Sequence, residues 1–225
     1  MSLKGLIGRT GGKSRLKKKI RGMIPPHTTY IEPFVGGGSV FFSAPADPNR
    51  KEVINDKDKE VAQIYMDVKN VGDKIQNITP PDKEGFNRLK GQTKFSSPVE
   101  RLRRNLILSL YSFRSDRRNF AFSKARMPEL QARQSQGSSQ KKYEKYKERL
   151  KNTRILNQDY KTVIKKYDNP DAFIYLDPPY STASDNNDYK DNDIKIEDII
   201  NLLKTVKGKF ILSYDNNATA RRLAR

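Results

Sequence analysis

One aspartate, two prolines and a tyrosine stand directly after a short apolar run, and no other residues of this chain are better suited to chemistry. The run, residues 173–176, predicts a buried strand, and it is followed by Asp177, Pro178, Pro179 and Tyr180. Each proline lacks an N–H and is confined to extended or turn geometry, so the strand must end there. Asp177 and the Pro178 carbonyl can each accept a hydrogen bond from an exocyclic amine while Tyr180 stacks on a flat base. The pattern predicts modification of an amino group on a nucleobase.

The charge of the chain favours this chemical interpretation over a purely structural one, in which the same residues are only a strand and a stiff turn. The 225 residues include 45 Lys and Arg against 26 Asp and Glu, a formal net charge of +19. Such an excess is typical of a protein whose partner is a polyanion. There is no cysteine, which excludes disulfides and the thiolate that starts methylation at cytosine C5. The single histidine, His27, is interpreted as a solvated loop residue.

Length and hydropathy predict one sizeable core with a small additional domain in an intracellular protein. Of the residues, 35% are hydrophobic, and no run of about 18 apolar residues is present to span a membrane. The N-terminus is basic and lacks the apolar core of a secretory signal. We therefore expect a cytoplasmic protein that is not secreted.

A second informative segment is residues 30–42, where an apolar strand enters three glycines and apolar residues then resume at helical spacing. Glycines at such a corner allow positive φ and a close approach of the backbone to a ligand. The spacing of Gly36 and Gly38 is a weak match to the dinucleotide fingerprint, because its third small residue is missing. The next predicted strand, residues 52–56, ends in Asp56, at the position from which a carboxylate reaches ribose hydroxyls. Any nucleoside-bearing cofactor would satisfy this geometry.

The remaining periodicity predicts an α/β fold with a doubly wound, mostly parallel sheet and an inserted, mainly helical domain. Further strands are expected at residues 154–157 and 209–213, with a turn at 158–160 between them. Helices are expected over residues 14–23, 57–69, 98–113, 141–150 and 196–206. Among the side chains expected to be buried are Leu16 and Ile20 in the first helix, and Leu102, Leu106, Leu108 and Leu110 in the third.

The inserted part of the chain interleaves cations with aromatic residues. We expect a DNA-binding group formed by Arg114, Arg117, Arg118, Lys124 and Arg126, among Tyr111, Phe113, Phe120 and Phe122. Cations suit phosphates and aromatic rings suit stacked bases. The alternative is a solvated helix face over a small core. The expected domains are a catalytic domain of residues 1–57 and 152–225 and an inserted target-recognition domain of residues 58–151.

Four segments in this order resemble the Dam-type DNA adenine-N6 methyltransferases, the alpha group of the D12 class. They are Thr10-Gly11-Gly12-Lys13, the Glu-Pro-Phe-Val-Gly-Gly-Gly-Ser string of residues 32–39, Asn55-Asp56, and Asp177-Pro178-Pro179-Tyr180. The resemblance covers nearly the whole chain outside residues 86–151. It implies a site-specific enzyme that transfers a methyl group from S-adenosylmethionine to the amine of an adenine flipped out of double-stranded DNA. It also implies an enzyme that needs no metal and that we expect to be a monomer, with a place in restriction-modification.

The resemblance assigns a role to each matched residue. Asp177, Pro178, Pro179 and Tyr180 would be catalytic, with Asp177 between the donor and the target amine. The donor would be held by Arg9, Thr10, Gly11, Gly12, Lys13, Glu32, Pro33, Phe34, Gly36, Gly38, Ser39, Asp56, Asp159, Tyr160 and Asp177. Within this set the loop after Glu32 would pass beneath the methionine part, Asp56 would meet the ribose, and Asp159 and Tyr160 would border the adenine.

Departures from the family pattern leave alternatives open. Arg9 stands where the family has an aromatic residue, and the insertion lacks the Asn-Gly and Phe-Asn-x-Pro strings of GATC-specific members, so the target sequence is not predicted. The strands that normally close the family's sheet are expected to be absent or short after Ser213. One alternative is an amino-methyltransferase acting on cytosine N4, RNA or a protein amide. Another is a DNA-binding protein with a degenerate donor site.

Overall fold

The computed structural model describes residues 3–8, 16–76, 78–113, 116–121, 139–179 and 194–214. The strands are β1 (Thr29–Glu32), β2 (Lys51–Asn55), β3 (Thr153–Leu156), β4 (Ala172–Leu176) and β5 (Lys209–Leu212). The helices are α1 (Lys17–Met23), α2 (Lys59–Val71), α3 (Lys83–Gly91), α4 (Pro98–Tyr111), α5 (Ser139–Leu150), α6 (Tyr160–Tyr167) and α7 (Ile196–Leu203). Short 3-10 turns cover Phe41–Ser43 and Gly72–Lys74.

The five strands form one sheet in which every pair of neighbours is parallel. Their order is β3-β2-β1-β4-β5, and Ile31 in the central strand pairs with Val53 on one side and Ile174 on the other. The chain thus moves outward from β1 to β3 and then crosses back to β4. The strand order changes direction between β1 and β4, which makes their carboxyl ends the switch point of the sheet.

Each face of the sheet is covered by its own helices. On one face Tyr30, Ile54 and Phe173 pack in a cluster with residues of α2, α4 and α5. On the opposite face the neighbouring residues Ile31 and Ile174 pack with residues of α6 and α7. Successive side chains of a strand point to opposite faces, so strands covered on both sides are apolar throughout. The predicted doubly wound, parallel α/β fold is confirmed.

Polar caps fix where two of the longer helices begin. The side chain of Asp58 accepts hydrogen bonds from the backbone N–H groups of Glu60 (2.9 Å) and Val61 (3.3 Å), and α2 starts at the next residue. Ser97 accepts from the N–H of Glu100 at 3.2 Å at the start of α4, where Pro98 occupies the first turn.

Two leucines predicted to be buried are exposed. Leu16 is 50% exposed, because α1 begins only after it and buries Ile20 alone. Leu110 is 41% exposed, because Ile107 and Tyr111 take the inward positions of the last turn of α4. Leu102, Leu106 and Leu108 are buried as predicted.

The prediction also lacks two helices that the structure contains, α3 and α6. The turn predicted at residues 158–160 is the start of α6, where Asp159 accepts a hydrogen bond from the N–H of Lys161 at 2.8 Å. An N-cap aspartate and a turn aspartate have the same residue type, so this position alone does not tell the two apart.

The chain between β2 and β3 is closely tied to the sheet. The Arg149 guanidinium of α5 is 5% exposed and forms a two-point ion pair with Glu52 of β2, at 2.6 and 3.0 Å, while it lies 4.0 Å from the centre of the Phe41 ring. Tyr146 of α5 donates to the carbonyl of Lys4 at 3.0 Å. The domain boundaries at residues 57 and 152 stay a prediction. None of the helices in the described ranges is both long and apolar enough to cross a membrane.

Candidate active site

The carboxyl ends of the parallel strands bring the predicted site residues to one edge of the sheet. β1 ends at Glu32 and leads into the glycine loop, residues 33–39, while β2 leads into Asp56. β3 leads to Asp159 and β4 leads directly into Asp177. The glycine loop and Asp177 therefore flank the switch point between β1 and β4, the place where open α/β sheets bind ligands.

Asp56 is 8% exposed, and its carboxylate holds the glycine loop in place. One oxygen, Oδ2, accepts a hydrogen bond from the N–H of Gly36 at 2.9 Å, and Oδ1 accepts one from the N–H of Asp58 at 2.9 Å. A carboxylate has about four acceptor sites, two on each oxygen. The acid after β2 and the loop after β1 are thus a single unit at the predicted donor site.

The glycine loop has a backbone that only glycine adopts without strain. Gly36 and Gly38 have φ angles of 47° and 69°, in the left-handed region. A Cβ on Gly38 would lie 2.5 Å from Oη of Tyr65 and 2.9 Å from the Phe42 ring. Tyr65 of α2 also donates to the carbonyl of Gly36 at 3.0 Å. The loop is consequently pressed onto α2, and its glycines are required by this packing.

The first described residues of the chain lie along the same loop. The N–H of Leu6 donates to the carbonyl of Gly37 at 2.8 Å, and a Cβ on Gly37 would approach the carbonyl of Ile7 to 2.5 Å. This contact leads the chain toward residues 9–13. The predicted donor residues Arg9, Thr10, Gly11, Gly12 and Lys13 lie outside the described residues.

Asn55, which the prediction placed in a motif without a role, is the last residue of β2 and joins the loops that follow β1 and β3. Its Nδ2 donates to the carbonyls of Pro33 (2.9 Å) and Gln158 (3.0 Å), and its Oδ1 accepts from the N–H of Gln158 at 2.8 Å. The side chain is 1% exposed. An amide is needed here because it donates and accepts at once. Asn55 therefore positions these loops. The signal for it in the sequence is its place directly before Asp56, in the same motif.

Two predicted donor residues form an aromatic pair. The ring centres of Phe34 in the glycine loop and Tyr160 at the start of α6 lie 5.1 Å apart, tilted by 38°. Burial raises the pKa of the Tyr160 hydroxyl, so it stays neutral. Tilted aromatic pairs at this distance are favourable. Asp159 caps α6 beside them.

Glu32 and Asp177 bring two carboxyl groups to the switch point. Glu32 is 2% exposed and accepts a hydrogen bond from Oη of Tyr30 at 2.6 Å. Burial raises the pKa of Glu32 to about 8, and although the Tyr30 hydrogen bond lowers it, repulsion by Asp177 raises it further. Glu32 therefore holds its proton at neutral pH. Asp177 is half-buried, Pro178 is buried and Pro179 is half-buried, whereas Tyr180 lies outside the described residues.

The proton on Glu32 gives the protein a pH-dependent stability that we expect Glu32→Gln to remove. The folded state holds a proton that the unfolded chain, with a pKa of 4.5, releases. This contribution to the free energy of unfolding is fully present below pH 4.5 and is lost as the pH rises toward about 8. The loss is at most about 1.4 kcal/mol per pH unit. Between pH 5.5 and 7.5, urea unfolding should therefore show the wild type losing about 2 kcal/mol more than Glu32→Gln. Equal losses in the two proteins would contradict the assignment.

A hairpin that joins residues 111–113 to 116–121 follows α4. Ser112 and Phe120 form an antiparallel bridge, and the N–H of Phe113 donates to the carbonyl of Asn119 at 2.7 Å. The ring centre of Phe120 lies 5.3 Å from that of Phe86, so the hairpin packs on α3. The Phe113 side chain is 53% exposed.

The DNA-binding residues predicted for this region have different surroundings. Arg118 is exposed, whereas the side chain of Arg117 is 14% exposed and faces the carboxylates of Asp58 and Glu60 at the start of α2. Arg114, Lys124 and Arg126 lie outside the described residues. The DNA contacts of the group stay a prediction.

Several other arginines of the inserted segment serve internal contacts. Arg101 forms a two-point hydrogen bond with the buried Asp67 at 2.7 and 2.8 Å. Arg104 is 7% exposed and donates to the carbonyls of Leu89 (2.9 Å) and Lys90 (3.0 Å). The net charge of the chain therefore overestimates the number of cationic side chains in this segment that are available to contact a polyanion.

Comparisons with known proteins identify the family of the chain. A model of the D12 class of N6 adenine-specific DNA methyltransferases matches residues 10–225. The chain is 28% identical over 190 residues to type II methyltransferase M1.LlaDCHI of Lactococcus lactis subsp. cremoris, covering 78% of this chain and 65% of that relative. It thus spans less than two thirds of the length of the Lactococcus protein.

Two further relatives are similar over more of their length. Identity to type II methyltransferase M.MjaIII of Methanocaldococcus jannaschii is 24% over 233 residues, 91% of this chain and 79% of the relative. Identity to type II methyltransferase M.CviBI of Paramecium bursaria Chlorella virus NC1A is 26% over 225 residues, 93% of this chain and 82% of the relative.

Proposed function

Because the chain belongs to the D12 class of N6 adenine-specific DNA methyltransferases, which use S-adenosylmethionine, we propose that it methylates adenine N6 at a specific site in double-stranded DNA. One observation carries the proposal. The glycine loop and Asp177 flank the switch point of the sheet, so a donor held by the loop and a base held by Asp177 would meet there. The similarity to type II methyltransferases supports a place in restriction-modification.

The residues at the carboxyl edge fit the donor. When bound, S-adenosylmethionine supplies an electrophilic methyl group on a sulfonium. Asp56 is the acceptor for its ribose hydroxyls, since the carboxylate is fixed at the end of β2 by the backbone of Gly36 and Asp58. Phe34 and Tyr160 offer an apolar pair beside the predicted adenine position.

Other donor contacts follow from the family resemblance. The end of β1 and the glycine loop, with Glu32, Pro33, Gly36, Gly38 and Ser39, would take the methionine part. Arg9, Thr10, Gly11, Gly12 and Lys13 would also help to hold the donor, as the family resemblance implies.

Asp177 positions the target amine. Adenine N6 is a weak nucleophile because its lone pair is delocalised into the ring. Hydrogen bonds to the Asp177 carboxylate and the Pro178 carbonyl would favour a more tetrahedral nitrogen, and stacking on Tyr180 would hold the base in line. The amine is inaccessible inside a duplex, so the base must be flipped out. No metal is required, because the amine needs only orientation toward an electrophile already present.

The basic charge of the chain supplies the affinity for DNA. We propose that Arg114, Arg118, Lys124 and Arg126 contact the phosphates around the target. Phe113 of the hairpin is exposed and could stack on a base. A net charge of +19 favours fast association with a polyanion. We expect the enzyme to act as a monomer.

Transfer of a labelled methyl group tests the substrate class. The protein is incubated with S-adenosylmethionine carrying a tritiated methyl group and with long unmethylated duplex DNA, single-stranded RNA or a mixture of proteins. We expect incorporation into the duplex DNA alone. Incorporation into RNA or protein would contradict the proposal, and binding of donor and DNA without any transfer would instead support a degenerate donor site.

A further inference from the structure

Arg117 does not direct its charge to solvent. Its Nη2 donates to Oδ2 of Asp58 at 2.6 Å, and its Nη1 lies 3.3 Å from Oε2 of Glu60. Asp58 is the N-cap of α2 and Glu60 lies in its first turn. Glu60 is shared with Arg104, whose Nη1 lies 3.1 Å away. The guanidinium therefore ties the hairpin to the start of α2.

The backbone at Arg117 is held in a conformation that a side chain disfavours. Its φ of 60° lies in the left-handed region, and within the described residues it is the sole residue other than glycine to do so. The N–H of Arg117 donates to Oγ of Ser112 at 2.8 Å, which stabilises this conformation. Strained residues persist where their surroundings over-determine them, often at functional sites. With the backbone of Arg117 in this conformation, its guanidinium contacts Asp58.

The same contacts lead directly to the donor edge. Asp58 accepts from Arg117 with its side chain and donates its own N–H to Oδ1 of Asp56. Asp56 in turn accepts from Gly36 of the glycine loop. Two hydrogen bonds thus separate the hairpin from the acid assigned to the donor ribose.

A phosphate contact is a poorer role for this side chain. To reach a phosphate, the guanidinium would have to leave Asp58 and Glu60. The Asp58 carboxylate would then lose this cation near the DNA, and Glu60 would keep only its ion pair with Arg104. Like charges at that place would oppose the binding that the arginine is meant to provide. Its neighbour Arg118 is exposed.

We propose that Arg117 is a positioning residue that fixes the hairpin, and with it the target adenine, relative to the donor. The inference rests on the proposed function. Loss of the Arg117 guanidinium should misplace the adenine relative to the methyl group. Displacements of about 1 Å are known to cost about a hundredfold in rate. The same loss should leave the number of phosphate contacts unchanged.

The test compares Arg117→Gln with Arg118→Gln on the same duplex DNA. Two quantities are measured: kcat at saturating donor and DNA, and the slope of log Kd against log salt for DNA binding. We expect Arg117→Gln to lower kcat at least tenfold with the wild-type slope. We expect Arg118→Gln to reduce the slope by about 0.9, the value for one lost phosphate contact.

Two further variants keep the test decisive. Arg117→Gly adopts the left-handed backbone without strain, so it separates loss of the guanidinium from misfolding of the hairpin. Asp58→Asn retains a good N-cap for α2 but removes the charge, and it should lower kcat as Arg117→Gln does. The double variant Asp58→Asn with Arg117→Gln should be no slower than the worse single variant, because each removes the same contact.

Either of two results would overturn the inference. A wild-type kcat in the Arg117 variants would remove the positioning role, and a reduced salt slope would make Arg117 a phosphate contact. If neither Arg117 variant folds, Asp58→Asn decides alone, and a wild-type kcat overturns the proposal. A wild-type protein that methylates no DNA contradicts the proposed function itself, and this is seen before any variant is compared.

Discussion

Replacing Asp177 with alanine is expected to lower turnover at least a hundredfold while leaving most of the DNA affinity. The carboxylate stands at the end of β4, at the switch point, where it would accept a hydrogen bond from the target amine. Removing a group that acts in the transition state costs on the order of a hundredfold or more, whereas phosphate contacts elsewhere hold the DNA. Single-turnover methylation and DNA binding by fluorescence anisotropy measure the two effects.

Asp171→Ala is the matched control, because Asp171 immediately precedes β4 and Asp177 immediately follows it. Asp171 is exposed at the opposite edge of the sheet, so the control should methylate DNA at the wild-type rate. An Asp177→Ala protein that kept more than about a tenth of wild-type turnover would lack the effect expected of a catalytic hydrogen-bonding group.

Asp56→Ala is expected to weaken donor binding by about 1–3 kcal/mol, or about 5- to 150-fold in Kd. The carboxylate is assigned to the ribose hydroxyls, and hydrogen bonds to a charged group contribute in this range. Its loss also leaves the N–H groups of Gly36 and Asp58 without this acceptor, which loosens the glycine loop. Calorimetric titration with S-adenosylmethionine or S-adenosylhomocysteine measures the change.

Asp47→Ala serves as the control for Asp56, since it removes an acid from the turn that precedes β2. The Asp47 side chain contacts the N–H of Asn49 in that turn, at the edge away from the glycine loop. The Asp47→Ala protein should bind the donor as the wild type does. A folded Asp56→Ala protein with wild-type donor affinity would show that the ribose is held elsewhere.

The sequence was sufficient to predict the strands and the edge of the sheet at which the candidate site residues lie. Short apolar runs ended by Asp56 and by Asp177-Pro178 have few structural alternatives, because proline cannot continue a ladder and a buried strand must end at a polar residue. With parallel strands, these ends meet at one edge of the sheet. The order of the strands was not predicted from the sequence.

Side-chain direction and pairing were not predictable to the same degree. The hydrophobic pattern of α4 offers Leu110 and Tyr111 as equally good core residues, and only packing against α2 and α3 selects Tyr111. The role of Arg117 likewise depends on Asp58 and Glu60, which are more than 50 positions earlier in the chain. A run of cations in a basic protein therefore indicates a polyanion partner without showing which of its members face it.

Mass analysis of nucleosides from digested DNA, after incubation with the protein and S-adenosylmethionine, tests the central claim most directly. We predict N6-methyldeoxyadenosine in the wild-type reaction, none without the donor, and at most about a hundredth of the wild-type amount with Asp177→Ala. N4-methyldeoxycytidine in place of the methylated adenosine would show that the amine held at Asp177 belongs to another base. Equal amounts of N6-methyldeoxyadenosine from the wild type and Asp177→Ala would place the chemistry away from the switch point, and would contradict the account.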